Sequence, residues 1–295
     1  MKEYDMKYEG YRQAVELSLA GYLNNPQAPK GLMEAMRYSA MAGGKRFRPI
    51  LTLAANTMLG GDPQEAMPIA CAIEMIHTYA LIHDDLPGMD NDDLRRGMPT
   101  SHIKFGEGNA ILAGDGLLSY GFEVMLNGAL TNASHMRSHL EAIHAVAVGA
   151  GVTGMVAGQF NDLANEGGSD FDELKYIHAK KTGALITASL KAGALLCSPL
   201  RPEIEAITSY GDCIGLAFQI TDDILDVTGS KEKLGKSIGK DKASDKLTYA
   251  KLFGVEKSKK MAQEKIDEAV SHLGIFGEKA VFLQQLAARL ISRES

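Results

Sequence analysis

Residues 68–83 read PIACAIEMIHTYALIH and run straight into DDLPGMDNDD at 84–93. The first stretch opens with proline at a position suited to a helix's first turn and is apolar on nearly every face, so it predicts a helix buried in a core. Pro87 disfavours helical geometry at Leu86. Asp84 and Asp85 are therefore expected at the helix C-terminus, with Asp90 folding back from the bend. A second long apolar segment, AITSYGDCIGLAFQITDDILDV at 206–227, repeats the arrangement and is closed by Gly229. Its Asp222 and Asp226 are spaced i, i+4 and share one helix face, with Asp223 beside them. A third helix is expected over 136–159, where Gly151, Gly154 and Gly158 form a small-residue stripe that admits a close neighbour. Strict apolar alternation is scarce. The expected fold class is all-α, one domain over residues 1–295, with about ten helices or more in a bundle.

The composition agrees with a globular chain. Of 295 residues, 45% are hydrophobic and 23% charged, which excludes a disordered or fibrous protein. Net charge is −6, which argues against a nucleic-acid partner. Cys71, Cys197 and Cys213 are scattered singly, an odd count that suits a reducing compartment better than a disulfide framework. The N-terminus has no signal-peptide run, and the nearly apolar stretch at 145–158 is shorter than the ~20 residues a spanning helix needs. No membrane span and a cytoplasmic location are expected.

Closing two buried helices with aspartates is costly. An anion at a helix C-terminus is disfavoured by about 0.3–1 kcal/mol, and adjacent carboxylates repel one another. Hard divalent cations offset both penalties, and Mg²⁺ favours carboxylates together with phosphate oxygens. No His or Cys stands at zinc-ligand spacing near either cluster. Cations complement the acids. AGGKRFRP at 42–49 sets Lys45, Arg46 and Arg48 behind a glycine pair, Arg95 and Arg96 follow the first acidic cluster, Lys181-Thr182-Gly183 lies mid-chain, and Lys236, Lys240 and Lys246 follow the second. Two carboxylate sets with two basic sets point to two polyphosphate groups, one held through metal and one directly by Lys and Arg.

Three other motifs carry little. Gly149, Gly151 and Gly154 fit GxGxxG, yet no βαβ alternation surrounds them. Gly229-SKEKL-Gly235-Lys236-Ser237 has one residue too many for a phosphate loop and follows a helix. His83-Asp84 lacks the further imidazoles that a His/Asp metallohydrolase needs.

Over essentially its whole length the chain resembles the short-chain trans-prenyl diphosphate synthases, closest to the bacterial farnesyl diphosphate synthases. The resemblance rests on GGKRFRP at 43–49, IHDDLPGMDNDDLRRG at 82–97, GQFNDL at 158–163, KTGALI at 181–186 and FQITDDILD at 218–226. Gly235-Lys236, Asp241, Lys246 and Thr248-Tyr249 keep the downstream spacing. The C-terminal RLISRES departs from a clearly basic tail, leaving Arg289 and Arg293 as substitutes. The resemblance implies an isoprenoid synthase fold around a central cavity and a homodimer. It also implies three Mg²⁺ ions, two on Asp84, Asp85 and Asp90 and one on Asp222 assisted by Asp223 or Asp226. Arg95, Lys181, Thr182, Gln219 and Lys236 would bind an allylic diphosphate, dimethylallyl or geranyl, with Lys181 also counted as catalytic. Gly44, Lys45, Arg48, His77 and Arg96 would bind isopentenyl diphosphate. The implied reaction is Mg²⁺-dependent 1′-4 condensation to farnesyl diphosphate, with geranyl or geranylgeranyl diphosphate as the alternative product. A terpene cyclase, disfavoured by the absence of Trp, and an inactive partner subunit, disfavoured by two intact acidic clusters, are the rivals. Tyr79, five residues before Asp84, would sit about 7.5 Å deeper along the helix axis and set product length as the cavity floor.

Overall fold

The core helix starts earlier than its apolar pattern suggests. In the computed structural model, which describes residues 2–164, 170–228 and 247–291, α4 spans Pro63–Asp84. The Asp62 side chain accepts from the Gln64 N–H at 2.8 Å, and Pro63 rather than Pro68 takes the first-turn position. Pro68 lies inside the helix, where it forfeits one backbone bond. Gly128 on α6 makes room for its ring: a Cβ at Gly128 would stand 3.1 Å from the Pro68 Cβ.

Around α4 pack α1 (Glu3–Tyr22), α2 (Lys30–Ala40), α3 (Phe47–Met58) and α6 (Glu107–Thr131), preceded by the short α5 (Ser101–Phe105). The chain continues through α7 (Met136–Ala150), α8 (Met155–Ala164), α9 (Phe171–Ile177) and α10 (Ala184–Leu195) to α11 (Arg201–Thr228). Then come α12 (Tyr249–Phe253), α13 (Val255–His272) and α14 (Val281–Ile291). One apolar cluster joins α1, α2, α4, α6 and α7, and a second joins α3, α10, α11, α13 and α14.

The all-α expectation holds, with two differences. Fourteen α-helices are present among the described residues, because short pieces such as α5 and α12 escape a periodicity reading and because the helix expected over 136–159 is broken. It breaks at 151–154, where Gly151 takes extended geometry (φ −84°, ψ −157°). Each helical glycine costs roughly 0.5–1 kcal/mol against alanine, so Gly149, Gly151 and Gly154 together make the break cheap. The second difference is a two-residue antiparallel ladder, β1 (Leu94–Arg95) with β2 (Met98–Pro99). Arg96 and Gly97 both have positive φ (54° and 75°), as a type I′ hairpin turn requires.

Two stretches, 63–84 and 136–164, have the length and hydropathy of membrane-crossing helices. The first is the core helix, with 72% of its most apolar window buried inside the fold, and the second is interrupted at 151–154.

The three cations of residues 45–48 do not share one fate. Arg46, with φ 51° ahead of α3, turns inward and pairs with Glu74 of α4 at 2.7 Å, both side chains almost fully buried. Glu16 of α1 stands 3.7 Å from the Arg46 Nε. Arg46 therefore supports the fold and faces no anion site. Breaking such a buried pair by removing one partner costs about 3–5 kcal/mol, because a charge is left uncompensated in the core.

Candidate active site

Asp84 is the last residue of α4, and Asp85 caps it. Beyond Pro87 the chain reverses, and the backbone N–H of Asp90 donates to the Asp84 carbonyl (2.8 Å) while that of Asp92 donates to the Asp85 carbonyl (3.2 Å). Asp90 thus returns beside Asp84, as the proline-bend reading expects. Burial raises the Asp84 carboxyl, opposed by Lys181 and Arg95 and reinforced by Asp90 and Asp85. The hairpin aims Arg95 back at Asp85, where Nη2 donates to Oδ1 at 2.5 Å and Nε to Oδ2 at 2.8 Å. Its neighbour Arg96 donates to the Gly43 carbonyl and lies flat on Gly44. A Cβ at Gly44 would meet that guanidinium at 2.8 Å, and φ of +125° makes the position strained for any other residue.

On α11, Asp222 is half-buried and Asp226 exposed, four residues apart on one face. Asp223, beside them, is buried. It accepts from the Tyr249 backbone N–H (2.8 Å) and from Gln219 Nε2 (3.3 Å), and burial pushes its carboxyl up to about 7. Its geometry is that of a positioning group holding α12 to α11, with both oxygens engaged inside the fold.

The basic residues ring the same space. Buried Arg48 of α3 sits 3.4 Å from His77 Nε2, and its own Nε has no partner. Burial lowers its guanidinium to about 10, while Glu74 and Asp222 oppose that shift. Arg48 thus lies within electrostatic reach of Asp222 on α11 and of Glu74 on α4. Burial and the surrounding arginines hold His77 neutral, far below its ordinary range. Lys181 donates to Asp162 (2.7 Å), and the Thr182 hydroxyl donates to Gln219 Oε1 (2.8 Å). Both belong to His178–Gly183, which winds as a π-helix, a rare form that gathers at functional sites. Beneath it Gly158 brings α8 so close that a Cβ there would stand 2.0 Å from the Lys181 nitrogen.

Arg48, His77, Tyr79, Asp84, Lys181 and Thr182 line one cavity of about 360 Å³, with Met89, Met155 and Phe160 among its apolar walls. Gln159 Nε2 lines it as well, buried without a hydrogen-bond partner. Lys45 is exposed at the turn before α3. Lys236, with Lys240, Lys246, Gly229, Gly235, Asp241, Ser237 and Arg293, lies outside the described residues. Arg289 pairs with Asp5 of α1 and stacks on Tyr4.

Sequence reading passed over three groups. Glu74 carried a signal, a lone carboxylate in an apolar helix. Asp162 stood inside the quoted GQFNDL segment without a role. His178, pushed down to about 4 by burial and stacked on Tyr249 at 5.5 Å, had no sequence signal. Of the discounted motifs, GxGxxG falls at the end of α7 and its turn with no strand, and His83 Nε2 lies 3.1 Å from the Ile111 carbonyl.

The donor set fits magnesium. Asp84, Asp85, Asp90, Asp222 and Asp226 offer only hard oxygens, and the burial and neighbouring carboxylates that raise Asp84 are both offset by a dication. An apolar cavity under an acidic, cation-studded mouth suits a ligand with a greasy tail and a diphosphate head. That combination defines a metal-dependent transferase of the isoprenoid synthase type. The chain belongs to the polyprenyl synthetase family, whose profile matches residues 29–276. It is 47% identical to the farnesyl diphosphate synthase of Geobacillus stearothermophilus over 89% of this chain and 88% of that one. It is 45% identical to geranylgeranyl pyrophosphate synthase 11 of Arabidopsis thaliana over 99% of this chain and 83% of that one. Its structure superposes on geranyltransferase from Helicobacter pylori, solved with magnesium and isoprenyl diphosphate, at a TM-score of 0.82 and 34% identity, covering 97% and 96% of the two chains. The family is magnesium-dependent and works on isoprenyl diphosphates, and the isoprenoid synthase fold that the resemblance implied is the fold found.

Proposed function

We propose that the chain is a farnesyl diphosphate synthase, joining isopentenyl diphosphate 1′-4 to dimethylallyl diphosphate and then to geranyl diphosphate. The observation that supports this most is Tyr79. It lines the same cavity as Asp84, only 8% exposed, its ring edge-on to His83 at 5.6 Å. An aromatic one and a half turns below the acidic mouth limits how far a growing chain descends.

In this reading Asp84, Asp85, Asp90, Asp222 and Asp226 hold Mg²⁺, which when bound neutralises the allylic diphosphate and stabilises its departure. Lys181 and Arg95 add positive charge where the allylic C–O bond breaks. Arg48, Arg96 and Lys45 hold isopentenyl diphosphate, whose alkene attacks the allylic carbon. The new C–C bond forms, and a proton is then lost to the departing pyrophosphate. Neutral His77 adds no competing positive charge beside Arg48. The apolar walls exclude water, which would otherwise quench the allylic cation.

Product analysis with both C5 substrates tests the reading. With Mg²⁺ the expected main product is C15, and without it none. Tyr79→Ala should shift the product toward C20 or longer; an unchanged C15 profile would reject the floor role. A C20 product from the unaltered chain would favour the geranylgeranyl reading, which the plant relative supports. A hydrocarbon from farnesyl diphosphate alone would point to a cyclase. We propose further that the chain is a homodimer, supported by exposed Ile111, Leu112, Leu126 and Leu130 along α6, which leave an apolar face for a second copy.

A further inference from the structure

Cys213, Glu268 and His272 take no part in the diphosphate chemistry. Cys213 is buried on α11, nine residues ahead of Asp222 and therefore about 13.5 Å away along the axis. Glu268 and His272 are spaced i, i+4 on α13 and share one face, beside the buried Ala262, Ile266 and Ala269 of the helix that packs on α11. One sulfur, one carboxylate oxygen and one imidazole nitrogen from the three side chains all lie within 4.8 Å of one another. A tetrahedral zinc with ordinary bond lengths separates its ligands by about 3.3–3.8 Å, a contraction that rotation of half-exposed His272 and exposed Glu268 supplies.

We propose that Cys213, Glu268 and His272 form a binding site for a zinc-class divalent transition metal, which pins α13 to α11. Thiolate and imidazole select zinc or cobalt over magnesium, so the site is chemically separate from the all-oxygen aspartate mouth. Thiolate and carboxylate together neutralise the dication. The Cys213 thiol lies within 4.8 Å of a Glu268 oxygen, and a metal there takes the place of the thiol proton, which passes to solvent. Lys265 donates to Glu268 Oε2 at 2.5 Å, which orients the carboxylate and leaves Oε1 for the metal. A cavity of about 540 Å³ opens on Cys213 and Glu268, providing an entry path and room for a fourth ligand.

The test titrates Co²⁺ into the full-length, metal-stripped protein in saturating Mg²⁺. The expected result is one equivalent bound with a thiolate-to-cobalt charge-transfer band in the near ultraviolet, bleached by Zn²⁺. Cobalt on the aspartates gives no such band. Cys213→Ser should abolish it and Cys197→Ser should keep it. His272→Ala should weaken cobalt binding by about tenfold or more and abolish the zinc-dependent rise in Tm. If Cys213→Ser fails to fold, the His272→Ala result decides alone. No band at saturating cobalt, a band that survives in Cys213→Ser, or His272→Ala binding as tightly as the parent would overturn the assignment.

Discussion

Asp84→Ala and Asp222→Ala are each expected to lower turnover on the order of 10³-fold, about 4 kcal/mol of transition-state stabilisation, because each removes a proposed metal ligand. The two substitutions act on different elements, the end of α4 and the face of α11, so parallel losses report a shared site. The effect on stability runs the other way for Asp84. In the folded chain burial, Asp90 and Asp85 raise its carboxyl above the unfolded value, so ionisation at neutral pH counts against folding. Removing it should leave Tm in Mg²⁺-free buffer no lower than that of the parent, and thermal melts with steady-state rates over a Mg²⁺ series check both halves. Near-parental rates in either variant would contradict the metal-ligand assignment.

Gly158→Ala has the second largest expected effect. The new Cβ would meet the backbone of Lys181, 2.0 Å from its nitrogen and 2.5 Å from its Cα, so no rotamer change relieves the clash. Overpacking of this kind costs about 1–3 kcal/mol or more, and a catalytic group displaced by about 1 Å loses on the order of 10²-fold in rate. We expect Tm and kcat to fall together, with the rate loss exceeding what the unfolded fraction explains. Gly10→Ala on α1, where nothing lies within 4 Å, is the control and should be neutral or slightly stabilising. A Gly158→Ala enzyme with parental kcat would show that the α8 contact does not set the position of Lys181.

Much of this site was legible because helical periodicity is strong and because acid at the ends of buried helices is anomalous. Asp84, Asp85, Asp90 and the shared face of Asp222 and Asp226 follow from Pro87 and from i, i+4 spacing alone. The parts that were not legible depend on tertiary direction. A run of cations such as Lys45, Arg46 and Arg48 reads as one patch, yet the left-handed backbone at Arg46 sends its side chain to Glu74 while Arg48 stays at the cavity. Asp222 and Asp223 are neighbours in a DD pair and both lie within a turn of Asp226, yet only tertiary packing buries Asp223 against the Tyr249 N–H and Gln219 while Asp222 stays half-buried. The hairpin at 94–99 turns on an arginine with positive φ, an uncommon choice that no local signal announces.

The buried Arg46–Glu74 pair has a consequence for how this sequence drifts. Either residue exchanged alone strands a charge in the core, whereas a well-packed apolar couple in its place is tolerated or even stabilising. The two positions are therefore locked in a single heritable unit, open to change only by a double step. Among descendants of this chain they should be kept or lost together, and a library of single mutants screened for heat resistance will not find the route that a paired library can.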